Sequence, residues 1–304
     1  MLACSAAAAC SFLLDTSEEQ CTEQSGCTGK FAGMQCVNRV CVGSDGGDAG
    51  DTGVVDAGPW GCLGSVTIDA APPGNVNVVV PLIDLTSQKG VLASDVFARI
   101  CAKIDVQCNS PLPNGDAGVI ISPDAQGLLH LTIPSGFDGF VLIDPIVPDG
   151  GAPSDAGDAG QPNVFVPSLV FFNPPIEHDL LYTTIVMVKT SELVQIATIE
   201  QTPIDPSLGA VFMETVDCNA KPTAGVSVVI DSQTATTQGF YFKGGLPALN
   251  APSTDQTGYA GFVNAPLGTR TVTGTLQATQ QHIGAATVFT KASTISYTTL
   301  APSP

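Results

Sequence analysis

The sequence predicts a mainly β protein: two tandem seven-strand-type antiparallel β-sandwiches, preceded by a small disulfide-rich module, with one short helix near residues 191–200. Three observations predict it. Charged residues make up only 12% of the 304 positions, while Gly (32) and Pro (23) are abundant. That balance suits short strands with many turns and leaves little Glu, Lys and Arg for long helices. Short apolar runs alternate inward and outward residues with period two. One spelling also occurs twice, at 122–136 and 253–268: Ser-x-Asp-x-x-Gly, an apolar strand, then Pro-x-Gly.

Taken from the start, "MLACSAAAACSFLLD" reads as a signal-peptide remnant over residues 1–9. In lipoprotein signals a cysteine after small residues is lipidated and heads the mature chain. Cys4 and Cys10 are the two candidates. Lipidation at Cys10 leaves an even number of cysteines for bridges, so Cys10 is the expected anchor. No run of about 18 apolar residues is available to span a bilayer, so membrane attachment is expected by the lipid anchor only.

Residues 10–43 form the cysteine-rich module. Cys21, Cys27, Cys36 and Cys41 fall in a segment too small to bury its own core. It lacks the two-residue cysteine steps and the histidines of zinc sites. Disulfides are therefore expected, Cys21–Cys36 with Cys27–Cys41 being one of three possible pairings. An oxidising compartment outside the cytoplasm follows. No metal site and no cofactor is expected.

Residues 44–59, "SDGGDAGDTGVVDAGP", carry too few large apolar side chains to offset ordering entropy and read as a linker. The similar stretch at 149–162 lies between two strand-like runs and reads as a disordered hairpin loop. Their Asp residues recur every three positions, unlike the alternating ligands of an EF-hand. A solvated acidic spacer is the reading, and calcium-dependent adhesion or glycan binding the alternative.

The first sandwich is assigned to 60–176. In "LLHLTIP", Leu129, Leu131 and Ile133 share one face while Leu128, His130 and Thr132 share the other. Trp60, just before Cys62, is expected to plug the end of this sandwich. A connector follows over 177–208. Within it "TSELVQIATIEQ" offers Ser191 as N-cap, Glu192 early where the helix dipole favours an anion, and Leu193 and Ile196 at helical spacing. Pro203 bars continuation. The second sandwich takes 209–304. In "RTVTGTL", Val272 and Leu276 face one way. In "FYF" at 240–242, alternation puts Phe240 and Phe242 inward and Tyr241 outward.

The repeated spelling is turn chemistry. Asp124 and Asp255 suit a turn start, because a carboxylate accepts from backbone N–H groups two residues on. Gly127 and Gly258 suit a position of positive φ. Each Pro-x-Gly ends its strand, and the strand that returns is expected to complete a hairpin. Upstream, "GSVTI" and "DVFARICAKI" of the first copy correspond to "GAVFM" and "AGVSVVI" of the second.

The second copy carries Gly209, Val211, Ala224-Gly225-Val226, Thr254-Asp255, Gly258, Phe262, Pro266 and Gly268. This pattern resembles the carboxypeptidase-regulatory-like, transthyretin-like family of β-sandwich modules. The resemblance covers roughly 209–300 well and 62–176 loosely, where Pro123 replaces the Thr of the motif. It implies a seven-strand sandwich used as a spacer or binding module without catalytic residues of its own. The cysteine-rich start separately resembles predicted lipoproteins of myxobacteria-like organisms.

Net charge is −18 with ten basic residues. Nucleic acid is excluded, since it demands clustered Lys and Arg. His130, His178 and His282 are far apart and read as solvent-face or loop residues. Glu177-His178-Asp179 follows a Pro-Pro turn and reads as an exposed loop rather than the centre of a hydrolase. No catalytic signature motif occurs. Cys101 and Cys108 close a short loop, worth about 2–3 kcal/mol, and Cys62 can pair with Cys218 across the two copies. The expected function is a non-catalytic, exported, lipid-anchored protein of a bacterial outer membrane or cell surface. It would act as a structural or recognition module on a protein or glycan partner.

Overall fold

The computed structural model describes residues 58–66, 72–115, 118–147, 164–248 and 250–303, together with two short strands before them. The chain divides into two compact units, Met1–Asp56 and Ala57–Pro304. In the first, β1 (Gln35–Val37) and β2 (Val40–Val42) pair antiparallel with Cys36 opposite Cys41. Cys10, Cys21, Cys27 and the 149–162 loop lie outside the described residues.

The second unit is mainly β, with several sheets and one short helix. Its first half contains β3 (Asn75–Asp84), β4 (Val96–Ala102), β5 (Leu128–Pro134), β6 (Gly139–Pro145), β7 (Ser168–Phe171), β8 (Leu180–Leu181) and β9 (Ile185–Met187). A helix, α1 (Thr190–Ile199), follows. The second half contains β10 (Gly209–Thr215), β11 (Val226–Ile230), β12 (Gln238–Lys243), β13 (Leu246–Ala248), β14 (Tyr259–Ala265), β15 (Gly268–Leu276), β16 (His282–Thr290) and β17 (Ile295–Leu300).

The two halves repeat one topology. In the first, β5-β3-β8 with β9 faces β4-β6-β7; in the second, β13-β12-β14-β10-β17 faces β11-β15-β16. Backbone hydrogen bonds fix the correspondence residue by residue. Leu82 N–H donates to Gly127 C=O at 2.8 Å, as Thr215 does to Gly258 at 2.8 Å. Val91 donates to Leu82 and Thr223 to Thr215, both at 3.0 Å, and Asp84 to Lys89 and Asp217 to Lys221, both at 2.9 Å. The counterpart of β10 is therefore β3, so Val79 occupies the place of Phe212. The alignment of "GSVTI" with "GAVFM" is corrected, since a shared Gly-x-Val spelling does not carry strand position.

The halves are fused edge to edge. Strand β17, at the edge of the second copy, pairs in parallel with β7 of the first, Ile295 opposite Ser168 through Thr298 opposite Phe171. This produces one eight-stranded sheet, β13-β12-β14-β10-β17-β7-β6-β4, flanked by the four-stranded sheet on one face and the three-stranded sheet on the other. Its middle strands are apolar on both faces. Val141, Ile143, Val170 and Phe212 join the first core, while Phe140, Leu142, Leu169, Val211 and Met213 join the second. A strand covered on both faces reads as a continuous apolar run instead of an alternation, and GAVFMET is buried throughout.

Several expectations are corrected. Pairing is mixed rather than purely antiparallel: β10 with β17, β17 with β7, and β3 with both β8 and β9 run parallel. In each copy the closing strand returns beside the opening one after crossing to the other sheet. The Pro-x-Gly turns do not make hairpins. Strand β5 pairs with β3 while β6 pairs with β4 and β7, and β14 pairs with β10 and β12 while β15 pairs with β11 and β16. Each turn carries the chain across the sandwich. At the first, Ser135 and Gly136 give their N–H groups to Gly74 and Ile176, not to a returning strand.

The first sandwich also extends beyond 176, because β8 and β9 of the expected connector are strands of its sheet. Helix α1 is capped two residues earlier than Ser191: Lys189 is the N-cap residue, its N–H donating to the Glu192 carboxylate at 2.7 Å. Trp60 packs on the second core, not the first. The Cys62–Cys218 bridge, with Cα atoms 5.8 Å apart, holds its segment there, and Cys218 N–H donates to Pro59 C=O at 3.0 Å. Cys101 and Cys108 form the second bridge of the described residues, Cα atoms 5.3 Å apart. Phe240 and Phe242 are buried, but Tyr241 is half-buried on the other face, its hydroxyl accepting from Val228 N–H at 2.9 Å.

Candidate functional site

The two Asp-x-x-Gly corners were the strongest motif in the sequence, and their geometry is spelled out by backbone demands. Asp124 Oδ1 accepts from the N–H groups of Gln126 at 2.8 Å and Leu128 at 2.9 Å, and Asp255 Oδ1 accepts from Thr257 N–H at 2.9 Å. Asp255 Oδ2 also accepts from Gly244 N–H at 2.7 Å. Gly127 has φ +82° and Gly258 φ +71°. A Cβ on Gly127 would lie 2.8 Å from Leu82 O, and one on Gly258 2.5 Å from Thr215 O, the same carbonyl position in each copy. Only glycine satisfies both the left-handed backbone and the close approach.

The electrostatics follow the hydrogen bonds. The Leu128 N–H and then His130 hold Asp124 below the usual carboxylate range. For Asp255, slight burial pushes upward, but the Thr257 hydroxyl and the Gly244 and Thr257 N–H groups outweigh it and the net shift is downward. His130 Nε2 lies 3.0 Å from Asp124 Oδ2, a pairing of strand face to turn that sequence reasoning missed. The His130 side chain is 61% exposed, so the pair sits on the surface and not in a cleft.

The other sequence candidates do not converge. Asp179 accepts from Asn77 N–H at 2.7 Å and ties β8 to β3. The Glu177 carbonyl accepts from Ser135 Oγ at 3.2 Å. His282 is an exposed residue at the start of β16. Among the described residues no group of three or more His, Cys, Asp or Glu side chains is arranged to hold a metal ion.

What the sequence did not reveal is a cavity of about 320 Å³ between the 183–186 segment and the sheet face of β10, β12, β14 and β17. Its lining rings, Phe212, Phe242, Tyr259 and Tyr297, are linked through Phe240 in a chain of edge-to-face contacts. Tyr297 meets Phe212 at 5.6 Å between centroids, Phe212 meets Phe240 at 5.2 Å, Phe240 meets Phe242 at 5.7 Å and Phe242 meets Tyr259 at 6.1 Å. The tyrosine hydroxyls donate to the covering segment, Tyr259 to Thr184 C=O at 3.3 Å and Tyr297 to Val186 C=O. Glu214 stands directly opposite Tyr259 in the β10–β14 register and beside Thr299 in the β10–β17 register. Its residue exposure is 7%, and the Thr183 hydroxyl donates to its carboxylate. Burial pushes the Glu214 carboxyl up, partly offset by the hydrogen bond from the Thr183 hydroxyl. The available signal was a lone Glu inside the apolar run "GAVFMETV". Gly245 and Thr257 of the second corner also line the cavity.

No family model and no curated protein matches the chain. Among solved structures, the chain is similar to the Bacillus anthracis TIE protein at 12% identity over 75% of this chain and 34% of that one, with a TM-score of 0.22. It is also similar to a streptococcal ancillary pilin at 12% identity, over 76% of this chain and 63% of that one, TM-score 0.24. The shaft pilin SpaA of Lactobacillus rhamnosus GG matches at 12% identity over 77% of this chain and 99% of its own, TM-score 0.21. The chain thus spans about a third of the first and less than two thirds of the second. Likeness at this level assigns neither fold nor function.

Proposed function

We propose that this protein is a non-catalytic, exported structural or recognition module, held at a bacterial outer membrane or cell surface by a lipid on Cys10. The observation that carries the reading is the joint between the two copies. Strands β7 and β17 merge two sandwiches into one sheet, and the Cys62–Cys218 bridge adds a covalent tie between the segment before the first copy and the turn after β10. The recurrent side chains serve backbone geometry at both corners, as in a carboxypeptidase-regulatory-like spacer. Such a body suits presenting a surface to a protein or glycan partner at the end of an acidic tether. The test is the intact mass of the protein isolated from its native host, before and after reduction, combined with protease shaving of whole cells. The reading expects an acylated chain starting at Cys10 that is cut from intact cells. An unacylated chain found in the cytoplasm would overturn it.

A further inference from the structure

Two buried carboxylates of this fold are paired with a basic side chain. Asp144 pairs with Arg99 at 2.5 Å, and Asp84 pairs with Lys189. Glu214 differs. Among the described residues no Lys, Arg or His lies within ion-pair distance of it, and its hydrogen-bond partner is the Thr183 hydroxyl. It borders the cavity, and so do the rings of Phe212, Phe242, Tyr259 and Tyr297. Aromatic faces attract cations through the ring quadrupole, most strongly where water is excluded. A lone carboxylate among such rings also gains most from an incoming positive charge.

We propose that this cavity binds a small organic cation, an alkylammonium or quaternary ammonium group, with Glu214 as its counter-ion and the four rings as its walls. A hard metal ion does not suit the site, because calcium and magnesium take six or more oxygen ligands and, among the described residues, Glu214 is the only carboxylate bordering the cavity. The volume, about 320 Å³, falls at the small end of ligand pockets, which run from about 300 to 1,000 Å³. The protein's net charge of −18 raises the local concentration of cations over anions. This inference does not depend on the envelope role.

The experiment is isothermal titration calorimetry of the full chain with choline and with 3,3-dimethylbutan-1-ol, which has the same shape without the charge. Choline is expected to bind at least about tenfold tighter than the alcohol. Glu214→Gln, with its fold verified by circular dichroism and melting temperature, is expected to weaken choline at least about tenfold and leave the alcohol unchanged. Should that variant fail to fold, Phe242→Leu on β12 takes its place, with a several-fold loss of choline affinity expected. No heat from choline up to tens of millimolar would overturn the proposal. So would equal binding of the two probes, or choline affinity unchanged in the folded variant.

Discussion

Strands β3 and β10 hold equivalent places in their sandwiches, yet they meet different surroundings. In β3 the residues alternate, Val76, Val78, Val80 and Leu82 buried and Asn75 and Asn77 exposed. In β10 every residue is buried. The same backbone position holds half-buried Val79 in one copy and Phe212, 5% exposed, in the other. The outer face of the first copy looks toward solvent at these positions. That of the second is covered by the 183–186 segment and by the continuation of the first core. An internal repeat therefore specifies the turn and strand geometry, while the second face of each strand is free to record what covers it.

The largest effect should come from the bond that ties the halves. Replacing Cys62 and Cys218 together by Ser removes a bridge with a sequence separation of 156, worth up to about 5 kcal/mol on chain entropy. The Cys101–Cys108 bridge closes a short loop, worth about half of that. Urea unfolding of the two double variants measures both; a larger loss from the short loop would break the comparison.

Next come the strand positions themselves. Phe212→Ala is expected to cost about 3–5 kcal/mol because it empties a core site, and Val79→Ala at the equivalent place about 1 kcal/mol or less. Equal losses in chemical denaturation would show that the outer faces are not covered differently. The two corners should behave alike. Gly127→Ala and Gly258→Ala are each expected to cost about 2–4 kcal/mol, since each puts a Cβ against a backbone carbonyl in a left-handed conformation.

The smallest effects concern pH. The Glu214 carboxyl is raised by burial, so its contribution to stability is fully present below the unfolded glutamate value and is lost as pH rises through the raised folded value. Asp84 is lowered in net. Burial pushes it up, but the Lys189 ion pair and Ser87 hydrogen bonds outweigh this. Its contribution is present above the unfolded aspartate value and is lost as pH falls through the lowered folded value. Denaturation midpoints from about pH 3 to pH 8 should show Glu214→Gln flattening the decline on the upper side and Asp84→Asn flattening the acid limb. Reversed slopes would contradict these assignments.

Much of this fold was legible in the sequence because the signals were local. Alternation in "LLHLTIP" gave a strand with Leu129, Leu131 and Ile133 inward, and the two Asp-Gly spellings gave matching corners with their positive-φ glycines. Glu192 early in an apolar-periodic stretch marked α1. What stayed hidden was long-range. Nothing near Ser168 announces that Ile295 will lie beside it, and nothing in Pro-x-Gly tells a crossing between sheets from a hairpin. Trp60 could be placed only once Cys62 was seen joined to Cys218. The cavity was missed for the same reason. Glu214, Tyr259 and Tyr297 become neighbours only when β10, β14 and β17 align, and their cover comes from the segment around Thr183.

Differential scanning calorimetry of the full chain tests the fused double sandwich most directly. The shared sheet predicts that residues 57–304 melt in one cooperative transition, with calorimetric and van't Hoff enthalpies equal. Two separable transitions, one retained when the other half is destabilised by Gly127→Ala or Gly258→Ala, would mean that the halves are independent modules that merely touch.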